Sequence, residues 1–257
     1  MSALRLAVRQ VSYDGRSYLR NPPAVFFGLM MPVLFLLIFA TIFGNDTIDT
    51  RGNIKTSTYY VPGLITLGVV STTFVNLCMA LVVLRENRVL KRVRGTPLPA
   101  WVFLAGRMAV GVGMAVALAV LLVAIGAVLY GVTVPDSTAP AMLLTLVVGG
   151  ASFCCLGIAF SSVVPNDDAA PAMVNAVVLP LYFISGLFFP VDEAPEWLTD
   201  VASVFPVRHL AEALLDAFDP RTTGAGIAWG HLGVVAAWGV AGALIALRTF
   251  RWTPKGE

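Results

Sequence analysis

The sequence is poor in charged residues. Only 12% of its 257 residues are Asp, Glu, Lys or Arg, about half the roughly 25% of a typical soluble domain. The net charge is +2 and the basic residues are scattered, which argues against a nucleic-acid partner. Apolar residues reach 58%, and the mean hydropathy is +0.83. A soluble globule of this length could not bury so much apolar surface, so the composition excludes an ordinary cytosolic enzyme and indicates that the bilayer is the solvent.

Catalytic and metal-binding patterns are also missing. The three cysteines (Cys78, Cys154 and Cys155) fall in apolar runs, and the two histidines (His209 and His231) are isolated in the sequence. Neither set has the spacing of a zinc site. The sequence contains no phosphate-binding loop, HExxH motif, GxSxG motif or dinucleotide glycine fingerprint. We therefore expect no catalytic residue, no metal site and no cofactor in this chain.

What the sequence does contain is long apolar runs. An α-helix needs about 20 mainly apolar residues to cross a bilayer, and six segments without Asp, Glu, Lys or Arg qualify. The first begins too late and is too long for a cleaved signal peptide. We predict an all-α membrane protein, a single transmembrane domain over residues 1–257. Its six spans are expected near Ala24–Gly44, Tyr59–Leu84, Met108–Gly131, Ala139–Val164, Ala169–Phe189 and Gly226–Leu247.

The distribution of charge orients these spans. Alternation through six spans places 13 of the 17 basic residues on one side and ten of the 15 acidic residues on the other. Basic residues accumulate on the cytoplasmic side of membrane proteins. We therefore expect a multi-pass protein of the cell membrane with both termini in the cytoplasm.

The N-terminal residues 1–22 have an amphipathic pattern. At 100° per residue the arginines form one stripe, separate from an apolar face that includes Leu4 and Val11. This pattern predicts a helix lying in the cytoplasmic interface near anionic lipid headgroups, and a simple topogenic tail is the alternative. The arginines of this predicted interfacial helix are Arg5, Arg9, Arg16 and Arg20.

Residues 190–225, which follow spans one to five (residues 24–189), hold two further amphipathic stretches. Glu196–Phe205 and Val207–Phe218 are each about half the length that a span requires. They predict a re-entrant helical hairpin on the outer side, before span six (residues 226–247) and a cytoplasmic tail (residues 248–257). A soluble outer loop is the alternative.

The spans carry only uncharged polar groups. Ion-coupled carriers usually place charged residues within their spans, because the coupling ion needs a partner. A transporter without charged residues in its spans would take its energy from outside the chain. The basic loop between spans two and three is then the expected contact site for a separate protein that supplies this energy. The polar side chains that we assign to a substrate pathway are Thr73, Asn76, Asn175, Tyr182 and Ser185.

Two motifs then point to a known family. The loop LRENRVLKRVRGTPLPAWVFLAGR (Leu84–Arg107) and the segment LPLYFISGLFFPVDEAPEWLTDVASVFPVRHLAEALLDAF (Leu179–Phe218) resemble signatures of the type-2 permeases of ATP-binding-cassette (ABC) exporters, in the drug-exporter-like branch. The expected order of interfacial helix, six spans and hairpin is similar as well. The chain departs from the second signature at Leu215 and Asp216, where many members carry Arg.

The resemblance implies a complex of two permease subunits, identical or paralogous, with two cytoplasmic ABC ATPase subunits that bind ATP and Mg²⁺. It implies export of drugs, lipid-like compounds or other amphipathic molecules from a bacterial cell, in contact with membrane lipids. By the same resemblance the ATPase-coupling residues are Arg85, Glu86, Arg88, Lys91, Arg92 and Arg94. The outer gate comprises Gly186, Pro190, Trp197, Pro206, His209 and Glu212.

Other functions remain open at this point. An exporter of a polysaccharide or lipid-linked glycan fits the same motifs, and an ion-coupled carrier or channel, a membrane enzyme or a scaffold without transport fits the apolar spans alone. The spacing of Gly226 and Gly230 as GxxxG permits close helix approach, which predicts a contact between permease subunits.

Overall fold

Helices form almost all of the structure. The computed structural model describes residues 3–43, 47–48, 54–96, 99–132, 135–187, 196–219, 221–222 and 225–252. The first half comprises α1 (Ala3–Leu19), α2 (Pro22–Val25), α3 (Met31–Phe43), the two-residue antiparallel strands β1 (Thr47–Ile48) and β2 (Ile54–Lys55), α4 (Thr56–Val70), α5 (Asn76–Glu86) and α6 (Val89–Arg94). The second half comprises α7 (Ala100–Tyr130), α8 (Ala139–Ser161), α9 (Ala170–Ile184), α10 (Glu196–Val204), α11 (Pro206–Phe218) and α12 (Trp229–Thr249). The all-α class is confirmed.

Five of these helical stretches are long and apolar enough to cross a membrane. They are Pro22–Phe43, Thr58–Glu86, Ala100–Tyr130, Ala139–Ser161 and Trp229–Thr249, and they coincide with predicted spans one to four and six. Each is at least 21 residues long, or about 30 Å at 1.5 Å per residue.

Helix α9, at the position of the predicted fifth span, is shorter than the sequence suggested. It has 15 residues, about 22 Å of helix, and ends at Ile184 instead of Phe189. Gly186 follows with φ of 76°, the left-handed conformation in which glycine commonly terminates helices. The predicted end was therefore wrong, because an apolar run continues past the residue that stops the helix.

The first two spans each contain a π-helical segment. Phe26–Met30 joins α2 to α3, and Ser71–Val75 joins α4 to α5. In the second segment the hydroxyl of Thr72 donates to the Gly68 carbonyl (2.8 Å) and that of Thr73 to the Val69 carbonyl (2.6 Å). Such bonds back to the preceding turn bend helices, and π-helical turns are frequent at functional sites.

Helices α8 and α12 pack closely through two glycines. A Cβ on Gly239 would overlap the Ser152 side chain, and one on Gly242 would lie 2.9 Å from the Leu156 amide nitrogen. This contact lies within one chain and does not test the contact predicted between subunits at Gly226 and Gly230. Gly226 precedes α12 and has a φ of 65°, and Gly230 has open space where its Cβ would be. Because Gly226 lies outside the helix, the two do not form a helical GxxxG face.

Helices α10 and α11 take the place of the predicted hairpin. They meet at Phe205, and α11 begins with Pro206 at its first turn, a favoured position for proline. Helix α11 packs against α4, α8 and α12, and Leu210 and Leu214 are fully buried. Thus α11 belongs to the core of the helical bundle.

Helix α1 lies against α7. Gly106 of α7 allows the contact, because a Cβ there would lie 2.7 Å from Cγ of Gln10. The side chains of Gln10, Asp14 and Tyr18 recur every four residues, so they share the face of α1 that packs on the protein. The exposed face of α1 carries Tyr13 and Leu19.

Candidate functional site

A cavity of about 810 Å³ lies among α1 and the helices of spans one, two, three and α9. This volume is within the range of ligand-binding sites in proteins. Along α4 and α5 its lining runs from Leu67 to Leu84, about 25 Å of helix. The lining is mostly apolar, with Phe27, Phe35 and Phe183 among its aromatic residues. Such a cavity can hold a molecule with an extended apolar portion.

Polar side chains where α1 meets the first two spans form a hydrogen-bonded network on the cavity wall. The Asn76 amide donates to the Tyr18 hydroxyl (3.2 Å), which donates to the Ala24 carbonyl (3.1 Å). Gly28, in the first π-helical segment, makes room, because a Cβ there would overlap the Tyr18 hydroxyl. Burial raises the pKa of Tyr18 to about 12, so the phenol stays neutral and keeps its proton to donate.

A buried ion pair occupies the wall formed by α1 and the start of α7. Arg107 Nη2 lies 3.3 Å from Asp14 Oδ1, and the Asp14 side chain is only 3% exposed. Gln10 donates to Asp14 Oδ2 (2.9 Å), and the Arg107 guanidinium lies over the Phe103 ring. Burial raises the pKa of the Asp14 carboxyl, and Arg107, followed by Gln10, opposes part of that rise.

The structure brings three of the five predicted pathway residues to this cavity. Asn76, Asn175 and Tyr182 line it, and the Tyr182 hydroxyl lies 3.2 Å from the Ser71 hydroxyl. Thr73 and Ser185 are buried and are absent from the lining.

The predicted coupling residues divide into two groups. Arg88, Lys91, Arg92 and Arg94 are exposed on or beside α6, which is anchored by the fully buried Leu90. Arg85 is 2% exposed, and its guanidinium donates to the carbonyl of Ser161 at the end of α8 and to those of Val164 and Pro165 just after it. It also pairs with Glu86 at 2.9 Å. Arg85 therefore holds α5 to α8 and does not face outward.

Of the predicted interfacial arginines, Arg5, Arg9 and Arg16 lie in α1 and Arg20 directly follows it. The backbone of Arg5 and Arg9 is helical, and the side chains of Arg16 and Arg20 are exposed. Exposed basic side chains on this helix are compatible with an anionic surface beside it.

Four of the predicted outer-gate residues lie on α10 and α11: Trp197 on α10, and Pro206, His209 and Glu212 on α11. Gly186 ends α9, and its carbonyl accepts a 2.7 Å bond from the Tyr59 hydroxyl. Trp197 is 66% exposed, Pro206 is buried, Glu212 is half-buried, and Pro190 lies outside the described residues.

The two histidines, isolated in sequence, are paired in space. Nδ1 of His209 on α11 lies 2.8 Å from Nδ1 of His231 on α12, and His209 Nε2 lies 2.7 Å from the Ser203 carbonyl. That carbonyl can only accept, so Nε2 carries a proton and one further proton lies between the rings. Trp238 Nε1 adds a bond to the Val204 carbonyl. In the described part of the chain no three His, Cys, Asp or Glu side chains cluster as metal ligands do.

Sequence reasoning missed Asp14 and Arg107 as a pair. Asp14 is the only acid before the first span, and it sits four residues from Gln10 and Tyr18. The sequence signal for this pair was a single acidic residue on the face of an arginine-rich helix that packs against the protein.

Comparison with known proteins identifies the family. Residues 8–218 match the profile of the ABC-2 type transporter family. The chain is 27% identical over 164 residues to the probable multidrug ABC transporter permease YbhR of Escherichia coli K12, covering 62% of this chain and 43% of YbhR. It is 23% identical over 185 residues to the inner membrane transport permease YadH of the same strain, covering 71% of this chain and 72% of YadH.

A third relative is nodulation protein J of Rhizobium leguminosarum bv. viciae, 28% identical over 111 residues, which are 42% of this chain and 41% of that protein. The chain thus spans less than half the length of YbhR and of nodulation protein J. Because the family profile covers most of the chain, including every residue that lines the cavity, this protein belongs to the ABC-2 type transporter family.

Proposed function

We propose that this chain is the membrane-spanning permease of an ATP-driven exporter of amphipathic small molecules, drugs or lipid-like compounds. The observation that carries this proposal is the cavity, which is apolar along most of its lining and polar where α1 meets α7. An amphipathic molecule would place its apolar portion among the aromatic side chains and its headgroup near Asp14, Tyr18 and Arg107. The name of YbhR, a probable multidrug permease, supports the same cargo class.

The topology that we propose has six spans. Helix α9 is short, and it completes a crossing by local thinning of the bilayer. The basic loops then lie in the cytoplasm with both termini, α1 lies in the inner interface, and α10 and α11 enter the outer leaflet and return. In this topology the paired histidines hold an outer gate together.

ATP binding and hydrolysis would take place on separate ATPase subunits. The basic side chains around α6 are suited to an acidic groove on such a partner, since Arg88, Lys91, Arg92 and Arg94 are all exposed. Arg85 would fix the position of this surface through its bonds to the carbonyls at and just after the end of α8. We propose two ATPases and two permeases in the complex, the second permease being a copy or a paralogue.

The test is a functional assay of the complex that copurifies with this chain. Incorporated into proteoliposomes, it should hydrolyse ATP, and a panel of lipids and drugs should identify amphiphiles that stimulate hydrolysis and move across the membrane. Native mass spectrometry should find two permeases with two ATPases. Arg92→Ala should insert normally yet weaken ATPase association, with Arg248→Ala as the matched exposed control.

Three outcomes would each contradict a part of the proposal. A complex active with one permease and one ATPase would reject the dimer. Ion-gradient-driven transport without ATP would favour a carrier, the alternative that fits the apolar spans. Stimulation by polysaccharide or lipid-linked glycan instead of simple amphiphiles would change the cargo class and leave the ATP-driven mechanism in place.

A further inference from the structure

Two buried polar atoms on the cavity wall lack hydrogen-bond partners among the described residues. They are Asp14 Oδ1 and Arg107 Nε. The 3.3 Å approach of Arg107 Nη2 to Asp14 Oδ1 is an ion pair without hydrogen-bond geometry, so the carboxylate oxygen still has capacity to accept. Unpaired buried groups of this kind are rare, because each keeps the desolvation penalty without compensation.

The two atoms require opposite partners. Asp14 Oδ1 accepts and is negative, so an N–H of a cationic group suits it. Arg107 Nε donates and is positive, so an anionic oxygen suits it. Because Nε and Nη2 are bonded to the same carbon, the two unmet sites lie close together. Both atoms are buried, so a headgroup reaches them when the side chains of Asp14 and Arg107 turn toward the cavity that these residues line.

The charges of the pair also select against other headgroups. A purely cationic group would be attracted by Asp14 and repelled by Arg107. A purely anionic group would be attracted by Arg107 and repelled by Asp14. A neutral hydroxylated group could hydrogen-bond to both, without the added strength that opposite charge gives in a poorly hydrated site.

We propose that Asp14 and Arg107 form a binding site for a zwitterionic headgroup, one that carries an N–H-bearing ammonium and an anionic oxygen such as that of a phosphate. Asp14 Oδ1 accepts from the ammonium, Arg107 Nε donates to the anionic oxygen, and the apolar tail lies along the cavity toward Phe35. This inference rests on the proposed function, because it names the headgroup chemistry of the cargo.

The test measures binding directly, on the complex in nanodiscs of phosphatidylglycerol and phosphatidylcholine without phosphatidylethanolamine. A dodecyl phosphoethanolamine labelled at the tail end with a fluorophore is displaced by unlabelled amphiphiles of matched tail. Dodecyl phosphoethanolamine should compete roughly tenfold better than dodecylphosphocholine, which lacks the N–H, and better than dodecylamine or dodecyl phosphate, as the loss of one charge-assisted hydrogen bond requires.

Variants assign the two contacts. Asp14→Asn should shift the preference toward dodecyl phosphate, and Arg107→Gln toward dodecylamine. Either single change leaves one charge buried without its partner, so the double variant Asp14→Asn/Arg107→Gln is included, in which neither charge remains. It should fold, bind the labelled amphiphile through its tail and lose the headgroup preference. Asp136→Asn and Arg248→Gln remove exposed charges elsewhere and should bind as the wild type does.

Further arms separate the source of the headgroup and the role of the site. If membrane phosphatidylethanolamine is the occupant, adding it to the nanodiscs abolishes the competition between labelled and unlabelled amphiphiles. If a scarcer amphiphile is the occupant, this competition persists. Both results uphold the headgroup chemistry. The same preference order in wild type and double variant, or strongest competition by dodecyl maltoside, would overturn the inference. Selective binding without any effect on ATPase activity or transport would leave this site standing and reject the proposed function.

Discussion

At the scale of single residues, Arg85 illustrates why a charged residue in a basic loop is not always a surface residue. It lies at the end of α5 and provides donors for the carbonyl of Ser161, the last residue of α8, and for the carbonyls of Val164 and Pro165 in the turn that follows. The last carbonyls of a helix have no partners within the helix, and a cation there is stabilised by the helix dipole.

Replacing this side chain should therefore destabilise the protein. Arg85→Met keeps most of the apolar stem and leaves buried carbonyls without donors, which predicts a loss of about 3 kcal/mol, or roughly 6–12 °C in Tm. Arg94→Met, on the exposed face of α6, should change Tm little. Thermal unfolding of the purified protein in detergent distinguishes the two variants. Equal Tm values would show that the hydrogen bonds of Arg85 do not stabilise the fold.

Asp14 predicts a dependence on pH. Its pKa is raised above the ordinary 3.8 by burial, so on acidification it takes up a proton before an exposed carboxyl does. The other titratable side chains of the cavity lining are Tyr18, Arg107 and Tyr182, and Tyr13 acts on Arg107. None of these is an acid with an ordinary pKa near that of Asp14.

As pH falls from neutrality through the raised pKa, the wild type should lose its preference for ammonium-bearing amphiphiles and come to resemble Asp14→Asn. Protonation also removes the cost of the buried charge, so this group stabilises the fold at low pH and ceases to do so as pH rises through its folded pKa. Displacement assays across this window measure the effect. A wild-type preference constant down to pH 3.8 would contradict the raised pKa.

At the scale of elements, the contact of α8 with α12 depends on glycine at two positions. Cβ atoms at Gly239 and Gly242 would meet the backbone or side chains of Ser152 and Leu156, and neither helix can move away without disturbing its neighbours. Gly233 of the same helix faces open space.

Gly239→Ala should destabilise the protein by about 1–3 kcal/mol through overpacking. Gly233→Ala, its matched control, should leave stability unchanged or raise it by up to ~1 kcal/mol, because alanine favours helix. Denaturation in detergent compares the two. If Gly239→Ala proved as stable as Gly233→Ala, α8 and α12 would not pack as described.

How far the sequence predicts these elements depends on which force shapes each one. Apolar runs without charge locate the spans, because the need to bury them is independent of tertiary contacts. The sequence analysis missed the end of α9 before Gly186 and the two π-helical segments. These features depend on backbone conformations that apolar periodicity does not encode. The contact of His209 with His231 and that of Asp14 with Arg107 join separate helices, so no local pattern could place them together.

At the scale of the whole molecule, the orientation in the membrane is the first claim to test. Single cysteines in a cysteine-free background should react with an impermeant thiol reagent from outside at Asp219→Cys and only from the cytoplasm at Arg92→Cys. Leu214→Cys should be protected, because Leu214 is fully buried in α11. Reaction of Asp219→Cys from the cytoplasm alone would overturn the topology, and equal reaction at Leu214→Cys and Asp219→Cys would favour a soluble outer loop.

The central claim is that cargo passes through the cavity between α1, spans one to three and α9. Ala80 lines this cavity, whereas Ala124 faces outward on α7. Tryptophan at Ala80 fills the space that an apolar tail would occupy, and tryptophan at Ala124 adds the same side chain on an exposed face of α7 away from the cavity.

The most direct measurement is ATP-dependent transport of a stimulating amphiphile by the complex in inside-out proteoliposomes. Ala80→Trp should assemble with its ATPase and retain the wild-type Tm, yet transport no faster than the ATP-free background. Ala124→Trp should transport as the wild type does. Wild-type transport by a correctly assembled Ala80→Trp complex would contradict the account, because the cargo would then follow a path outside this cavity.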